Sequence, residues 1–351
     1  MGNHFYKKNK NNNNNNSNIE FKEDKSQINK KEQNMNMETP KEEKYYEIYQ
    51  LLEFQKKKLI NISLLNNRKI CLAYSYNLII YNEKYKKEEI IDFSISDGKC
   101  YNQIQLKNNL IVLGFHSKIK IIKLDELIST FQEIEEMGRP SFIEIQNSNF
   151  ISGWSTEIIK IIIYKLNSKT KKYENSCQII NTNFKNSSIS LYLINKNILV
   201  SAFPSFNTIN FYDLKNNKID LIISMKNIEC SYGNKIFCII NNNILIVGGR
   251  DMKGFYLINI KNYKLLGNIN EYNIREIYTI IKLKNKNNII VGISTEDWSS
   301  NVNEFKVDNN KFIKIKEIKH VFNEGVVYGI VELNDEKICY GAYYGNAVIL
   351  K

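Results

Sequence analysis

Histidine, tryptophan, proline and arginine are all scarce in this chain of 351 residues, which has three His, two Trp, three Pro and only four Arg. Its histidines, His4, His116 and His320, are isolated from one another, so no spaced histidine motif for zinc exists. The six cysteines, Cys71, Cys100, Cys177, Cys230, Cys238 and Cys339, form no C-x-x-C ligand pairs. Three of them (Cys71, Cys238 and Cys339) sit inside apolar runs, where a thiol behaves as a small buried hydrophobe. The first residues, MGNHFYKKNK, contain no secretory apolar segment, so a reducing, cytoplasmic setting is expected. No run reaches the roughly 18 apolar residues of a membrane-spanning helix; even Ile158 to Leu166 is broken by Lys160 and Lys165. With 15 Gly and 3 Pro, collagen-like chains are excluded, and 43% hydrophobic residues exclude a wholly disordered one. A body of about 300 residues would bury on the order of 75% of its unfolded surface, enough to stand without staples.

Charge is plentiful but of one kind. The net charge is +12, yet only Arg68, Arg139, Arg250 and Arg275 are arginine, so lysine supplies 45 of the 49 basic side chains. Lysine makes point contacts where nucleic-acid readout favours the guanidinium fork. The lysines are also scattered among Asn and Ile along the whole chain, so no specific nucleic-acid partner is expected. A basic nucleic-acid-binding protein would lose affinity steeply with salt.

Residues 1–44 differ from the rest, with an asparagine run at Asn11 to Asn16 and few large apolar residues, and read as a disordered arm. From Tyr45 to Lys351 the texture changes to short β-prone runs of Ile, Val, Tyr and Phe between polar clusters. One unit recurs: an Asn or Lys, three or four apolar residues, a small residue, a polar turn and a second apolar strand. Its copies include Lys69-Ile-Cys-Leu-Ala73, Asn109-Leu-Ile-Val-Leu-Gly114, Asn243-Ile-Leu-Ile-Val-Gly248 and Lys337-Ile-Cys-Tyr-Gly341. The small residues fall at 73, 114, 153, 202, 248, 292 and 341, spaced by 41, 39, 49, 46, 44 and 49. A period of that length holding four strands is one blade of a β-propeller.

These residues resemble degenerate WD40 repeats. Ile209-Asn-Phe-Tyr-Asp-Leu-Lys is the closest match, with Tyr212-Asp213 where Trp-Asp would stand. The Gly-His and Trp-Asp pairs are missing from the other blades, so the hydrogen-bond network of a standard WD40 blade does not carry over. The expected fold is an all-β, seven-bladed propeller over residues 45–351, closed by an N-terminal strand around Tyr45-Tyr-Glu-Ile-Tyr49.

By this resemblance, the turn after the second strand of every blade opens on one face around the central channel. The residues just after the small position are then Tyr74, Phe115, Trp154, Phe203, Trp298 and Tyr343, with Phe206 and Tyr344 beside them and Arg250 in the fifth blade. A ring of such groups suits a peptide or protein segment, because Trp, Tyr and Arg dominate interface hot spots.

Catalytic equipment is sparse. There is no G-x-S-x-G elbow and no P-loop, and Gly248-Gly249-Arg250-Asp251 reads as a tight turn. Glu135-Glu136 and Glu296-Asp297 are adjacent, and a strand sends neighbours to opposite faces. The turns supply only Glu157, Asp251, Glu296 and Asp297 to a channel, so the chain reads as a non-enzymatic scaffold without cofactor or metal. A propeller hydrolase or lyase is the competing class, and a stoichiometric metal ion in the purified protein would favour it.

Met1-Gly2-Asn3 followed by Lys7, Lys8 and Lys10 resembles an N-myristoylation start with basic support, although Tyr6 stands where Ser or Thr is preferred. One acyl chain with positive charge gives weak, reversible membrane attachment. If Gly2 is the acceptor, myristate label enters the native chain and not the Gly2→Ala variant; an unlabelled native chain removes the anchor.

Overall fold

The computed structural model describes residues 48–351 other than 55–57, 125–128, 182, 216–217, 234, 241–242, 271, 285, 297–299, 309–310, 320–324, 334–336 and 344–345. The arm at 1–44 and Gly2 lie outside the described residues, as do Trp298 and Tyr344.

The β-branched runs form seven four-stranded antiparallel sheets. Blade 1 contains Leu59–Leu64, Ile70–Tyr74, Asn77–Tyr81 and Lys87–Asp92 in that order across the sheet. Blades 2 to 6 repeat the pattern, their first strands being Cys100–Gln105, Arg139–Glu144, Ser190–Asn195, Phe237–Ile240 and Ile274–Lys282. Blade 7 takes Val327–Glu332, Ile338–Ala342 and Asn346–Leu350, and Ile48–Phe54 pairs antiparallel beside the last of these, with Leu51 opposite Val348. First strands of neighbouring blades touch one another, so they line the axis. Fourth strands face outward, and Asp220–Met225 has an almost wholly exposed pattern.

Seven buried apolar clusters fill the seven spaces between neighbouring sheets. One joins blade 7 to blade 1 through Cys339, Ala347 and Ile349 against Leu59, Leu72 and Ile79. Both faces of each sheet are therefore covered, which is why the second strands read as unbroken apolar runs and not as an alternation. The recurrent small residue has a steric cause. A Cβ on Gly153 would stand 2.8 Å from Ile189 Cδ1, and one on Gly292 would stand 2.8 Å from Thr279 Cγ2 and Val327 Cγ1. The second strand of each blade needs a small residue where the next first strand crosses it.

Tyr212 shows what replaces the missing tryptophan. It is 2% exposed, and its hydroxyl accepts a hydrogen bond from Asn210 Nδ2 at 3.0 Å and lies 3.5 Å from Ser201 Oγ. In blade 3, Trp154 Nε1 donates to Ser152 Oγ at 2.7 Å.

Between blades 1 and 2, Asp97 is 3% exposed and receives two ammonium groups, Lys118 Nζ at 2.7 Å and Lys120 Nζ at 2.9 Å. Burial alone would raise its carboxyl, but the two lysines and the Ser94 donors overcome this and hold it well below the usual carboxylate range. The clasp fixes the loop that leads into the first strand of blade 2. Because the folded value is depressed, its stabilisation is present above the unfolded value of about 4 and is lost as pH falls through the folded one. Asp97→Asn leaves Lys118 and Lys120 with only the exposed Glu133, at 3.2 and 3.7 Å, and is expected to cost about 1.5–3 kcal/mol at pH 7, with a flattened acid limb of the stability curve. Equal urea midpoints for the two proteins from pH 7 to pH 3 would show that the clasp contributes nothing.

Candidate functional site

Four of the expected mouth residues are in the core. Tyr74, Phe115, Trp154 and Phe203 are each 0% exposed and belong to four different inter-blade clusters. This corrects their placement at an open rim. The small residue before each one faces the next blade, and the period of two turns the aromatic to the opposite face of the sheet, which another blade also covers. Phe203 stacks on Phe184 with centroids 4.4 Å apart, and Phe206, 39% exposed, meets the same ring edge-on at 5.1 Å.

Arg250 acts within the molecule. Its guanidinium donates to Tyr232 Oη at 2.6 Å, Asn207 Oδ1 at 3.0 Å and the Pro204 carbonyl at 3.1 Å, tying the second turn of blade 4 to blade 5. Tyr343 is half-buried, with Lys58 Nζ 4.0 Å from the centre of its ring, and among the described residues it and Phe206 are the expected aromatics that keep exposure. Trp298, Tyr344 and Gly2 cannot be placed, since they lie outside the described residues.

What lines the mouth comes from the first strands. Pairing between first and second strands skips one residue at the same place in four blades: Ile60, Tyr101, Tyr278 and Tyr328 lie between the register shifts Leu59/Asn61, Cys100/Asn102, Ile277/Thr279 and Val327/Gly329. Each is the extra residue of a β-bulge directly before the partner of the small position. A bulge takes one residue out of the ladder and re-aims its side chain. Blades 3 and 4 keep continuous register there.

Three of the four bulge residues are tyrosines, and they form a half-ring with basic groups. Tyr278 and Tyr328 are 6.2 Å apart, and Tyr328 and Tyr343 are 5.3 Å apart. Arg139 lies over Tyr101 at 5.4 Å, and Tyr101 neighbours His116 at 6.4 Å. Burial, with the like charges of Lys99 and Arg139, pulls the Lys58 ammonium down to about 8. Among the described residues no carboxylate pairs with Lys58, Lys99 or Arg139. Glu276 is engaged by Ser231 Oγ at 2.7 Å and Tyr278 Oη at 2.8 Å, and Glu157 lines the same cleft as Arg139 without an ion pair to it. Burial, followed by the Tyr328-Tyr343 pairing and the Glu276 charge, pushes the Tyr328 phenol up to about 12, so it is a neutral donor.

Towards blades 3 to 5 the half-ring opens into a cleft of about 860 Å³ lined by Arg139, Lys160, Ser188, Ser205 and Tyr232 among others. Lys160 is paired with Glu136 at 3.2 Å, whereas Arg139 is exposed. The described residues contain no cluster of three His, Cys, Asp or Glu side chains able to hold a metal. The site as built offers phenol hydroxyls, aromatic faces and unpaired cations, which is equipment for recognising an anion beside an apolar group. Its sequence signal was a second recurrence, Cys-Tyr-Asn at 100–102, Ile-Tyr-Thr at 277–279 and Val-Tyr-Gly at 327–329, visible only when first strands are aligned.

No family model and no curated protein sequence matches the chain. Among solved structures, the WD40 β-propeller domain of Doa1 is similar at 14% identity and a TM-score of 0.64, covering 87% of this chain and 96% of that one. A chain of the mitotic checkpoint complex is similar at 11% identity and a TM-score of 0.70, covering 92% and 98%. Virginiamycin B lyase from Staphylococcus aureus is similar at 14% identity and a TM-score of 0.67, covering 87% and 99%. The chain has the fold of a WD40-like seven-bladed propeller, without a subfamily. Both interaction modules and a lyase share that architecture, so the fold alone selects neither.

The crowding of Lys58 has a direct readout. A lysine near pH 8 is half neutral and nucleophilic there, so trace acetylation followed by peptide mass spectrometry should give Lys58 a labelling midpoint near pH 8, rising in Arg139→Gln. A midpoint above pH 10 in the native protein would contradict the crowding of Lys58 by Lys99 and Arg139.

Proposed function

We propose that this propeller is a non-enzymatic adaptor that docks an acidic segment of a partner protein at the tyrosine-lined, basic half-ring of blades 6, 7, 1, 2 and 3. The observation that carries this reading is the recurrence of the bulge, which places Tyr101, Tyr278 and Tyr328 at equivalent positions of three blades. Tyr and Arg are enriched in interface hot spots because they combine a large apolar area with a directional polar group. Lys58 and Arg139 rest on tyrosine rings, no carboxylate pairs with them or with Lys99 among the described residues, and a carboxylate-rich ligand would supply one. The strands hold Tyr101, Tyr278 and Tyr328, which lowers the entropy lost on association. Interaction modules among the structural neighbours support the class in general terms.

The test compares captures from the native cell by the full chain, by Lys58→Glu/Arg139→Glu, and by Lys171→Glu on the opposite face, with circular dichroism confirming folding. Partners retained by the native chain and the Lys171 variant and lost from the double variant are expected, together with weakening by salt. Losing one hot-spot tyrosine should cost about 2 kcal/mol or more of the recovered affinity. Identical partner sets from all three proteins would remove the mouth from the function.

A further inference from the structure

A second polar site lies deeper, on the axis of the ring. A cavity of about 320 Å³ is bounded by first strands from most of the blades and includes Asn61, Gln103, Phe142, Glu144, Tyr192 and Lys235 in its wall. Lys235 belongs to the short segment before the first strand of blade 5. Its backbone bridges Thr279 of blade 6, and its carbonyl accepts from Ile280 N at 2.8 Å. That anchorage sends the side chain across the channel, where Nζ donates to the Ile62 carbonyl of blade 1 at 3.0 Å. One hydrogen bond uses one of the three ammonium protons.

No ion pair forms at Lys235 among the described residues, and burial alone lowers its ammonium to about 8. The wall does contain one acid, Glu144, but its Oε1 accepts from the Lys107 backbone at 2.6 Å, on the side of the ring away from the mouth. Beside the lysine, Gln103 is 0% exposed. Its Oε1 accepts from Ser63 Oγ at 3.1 Å and Asn61 Nδ2 at 3.4 Å, which fixes the amide, and Nε2 is left without a partner. A half-buried cation without a counter-charge and a fully buried amide donor without an acceptor are both costly to leave unanswered. Two such groups of the same sense in one cavity describe the missing ligand: it is negative and accepts hydrogen bonds.

We propose that the axial cavity binds a small oxyanion, a carboxylate or phosphate group, held by Lys235 Nζ and Gln103 Nε2. The apolar part of the wall, with Phe142 in it, suits the short carbon skeleton of an organic acid. This site is separate from the half-ring at the mouth and does not depend on it.

Calorimetric titration of the full chain at pH 7 and constant ionic strength, with inorganic phosphate in one arm and succinate in the other, tests the assignment. Saturable binding at one site per chain is expected for at least one probe, and the arm that binds identifies the source. Affinity should fall at least tenfold in Lys235→Met and in Gln103→Leu and be largely kept in Lys235→Arg. Lys235→Met also removes a half-buried charge that lacks a counter-charge, so its melting temperature should rise without probe and stop responding to it.

Proton linkage gives a readout that a merely structural lysine would not move. Succinate favours the charged amine, so near pH 8 its binding should take up as much as half a proton, seen by comparing buffers of different ionisation enthalpy, and affinity should decline from pH 7 to pH 9. Of the other titratable wall groups, Tyr192 stays neutral because burial pushes its phenol up to about 12, and Glu144→Gln controls for the remaining one. Absence of saturable binding for both probes overturns the proposal. So does binding that survives in Lys235→Met but disappears in Lys58→Glu/Arg139→Glu, which would place the anion at the mouth.

Discussion

Coverage of both faces of every sheet is the constraint from which the rest of this molecule follows. A sheet with one wet face can send alternate side chains to water, and its strands advertise function by where the pattern breaks. Here neither face is wet. Leu72 faces the cluster shared with blade 7, and Cys71 and Ala73 face the one shared with blade 2, so the second strand of blade 1 is apolar throughout. The seven small residues and the seven inter-sheet clusters are two expressions of one requirement: neighbouring sheets must approach closely near the axis and diverge outward. A side chain larger than the space at Gly292 would push against the first strand of blade 7 through Val327.

Under that constraint, a strand residue can serve a ligand only by leaving the ladder. The bulges at Tyr101, Tyr278 and Tyr328 do this. One inserted residue keeps Cys100 and Asn102 on their proper sides while releasing Tyr101 from the alternation. Each bulge stands next to the glycine or alanine of the second strand, where the backbones are already close and the local twist is least constrained by side chains. The asymmetry is informative. Blades 3 and 4 lack this bulge, and there the wall of the mouth recedes into the cleft near Ser188 and Ser205. The ring is thus regular in its packing and uneven in what it presents.

This explains how much could be read from the chain alone. The period, the number of blades and the apolar second strands were legible because steric demand repeats in every blade: Ala73, Gly114, Gly153 and Gly248 answer the same local geometry. The site was not legible from the same alignment. Residues after the small position were read as rim groups, yet Tyr74, Phe115, Trp154 and Phe203 obey the period of two and enter the opposite interface. Arg250 looked like an anchor by residue type, and its partners Asn207, Pro204 and Tyr232 come from segments whose proximity no local pattern encodes. The bulged tyrosines escaped because an inserted residue breaks the periodicity that reveals a strand. Lys235 escaped for a different reason, since its significance lies in a contact with Ile62 across 173 positions of sequence.

Electrostatics then separates the two polar regions of the ring. Asp97 is surrounded by Lys118, Lys120 and Ser94, so its charge is fully answered and it serves as a clasp. The loop that it fixes delivers Lys99 to the mouth, where the opposite holds: Lys58, Lys99 and Arg139 reinforce one another's field, and Lys58 yields part of its proton affinity as a result. A scatter of surface lysines would relax apart in water and gain little from proximity. Lys58 and Lys99, half-buried and each one residue before a first strand, have less room to do so, and their repulsion is relieved when a negative group enters. The same argument applies on the axis, where the half-buried Lys235 is held across the channel by its bond to the Ile62 carbonyl. A chain in which lysine makes up nearly all of the positive charge can carry most of it harmlessly. The few cations that backbone geometry prevents from relaxing are the ones that define where an anion would be held.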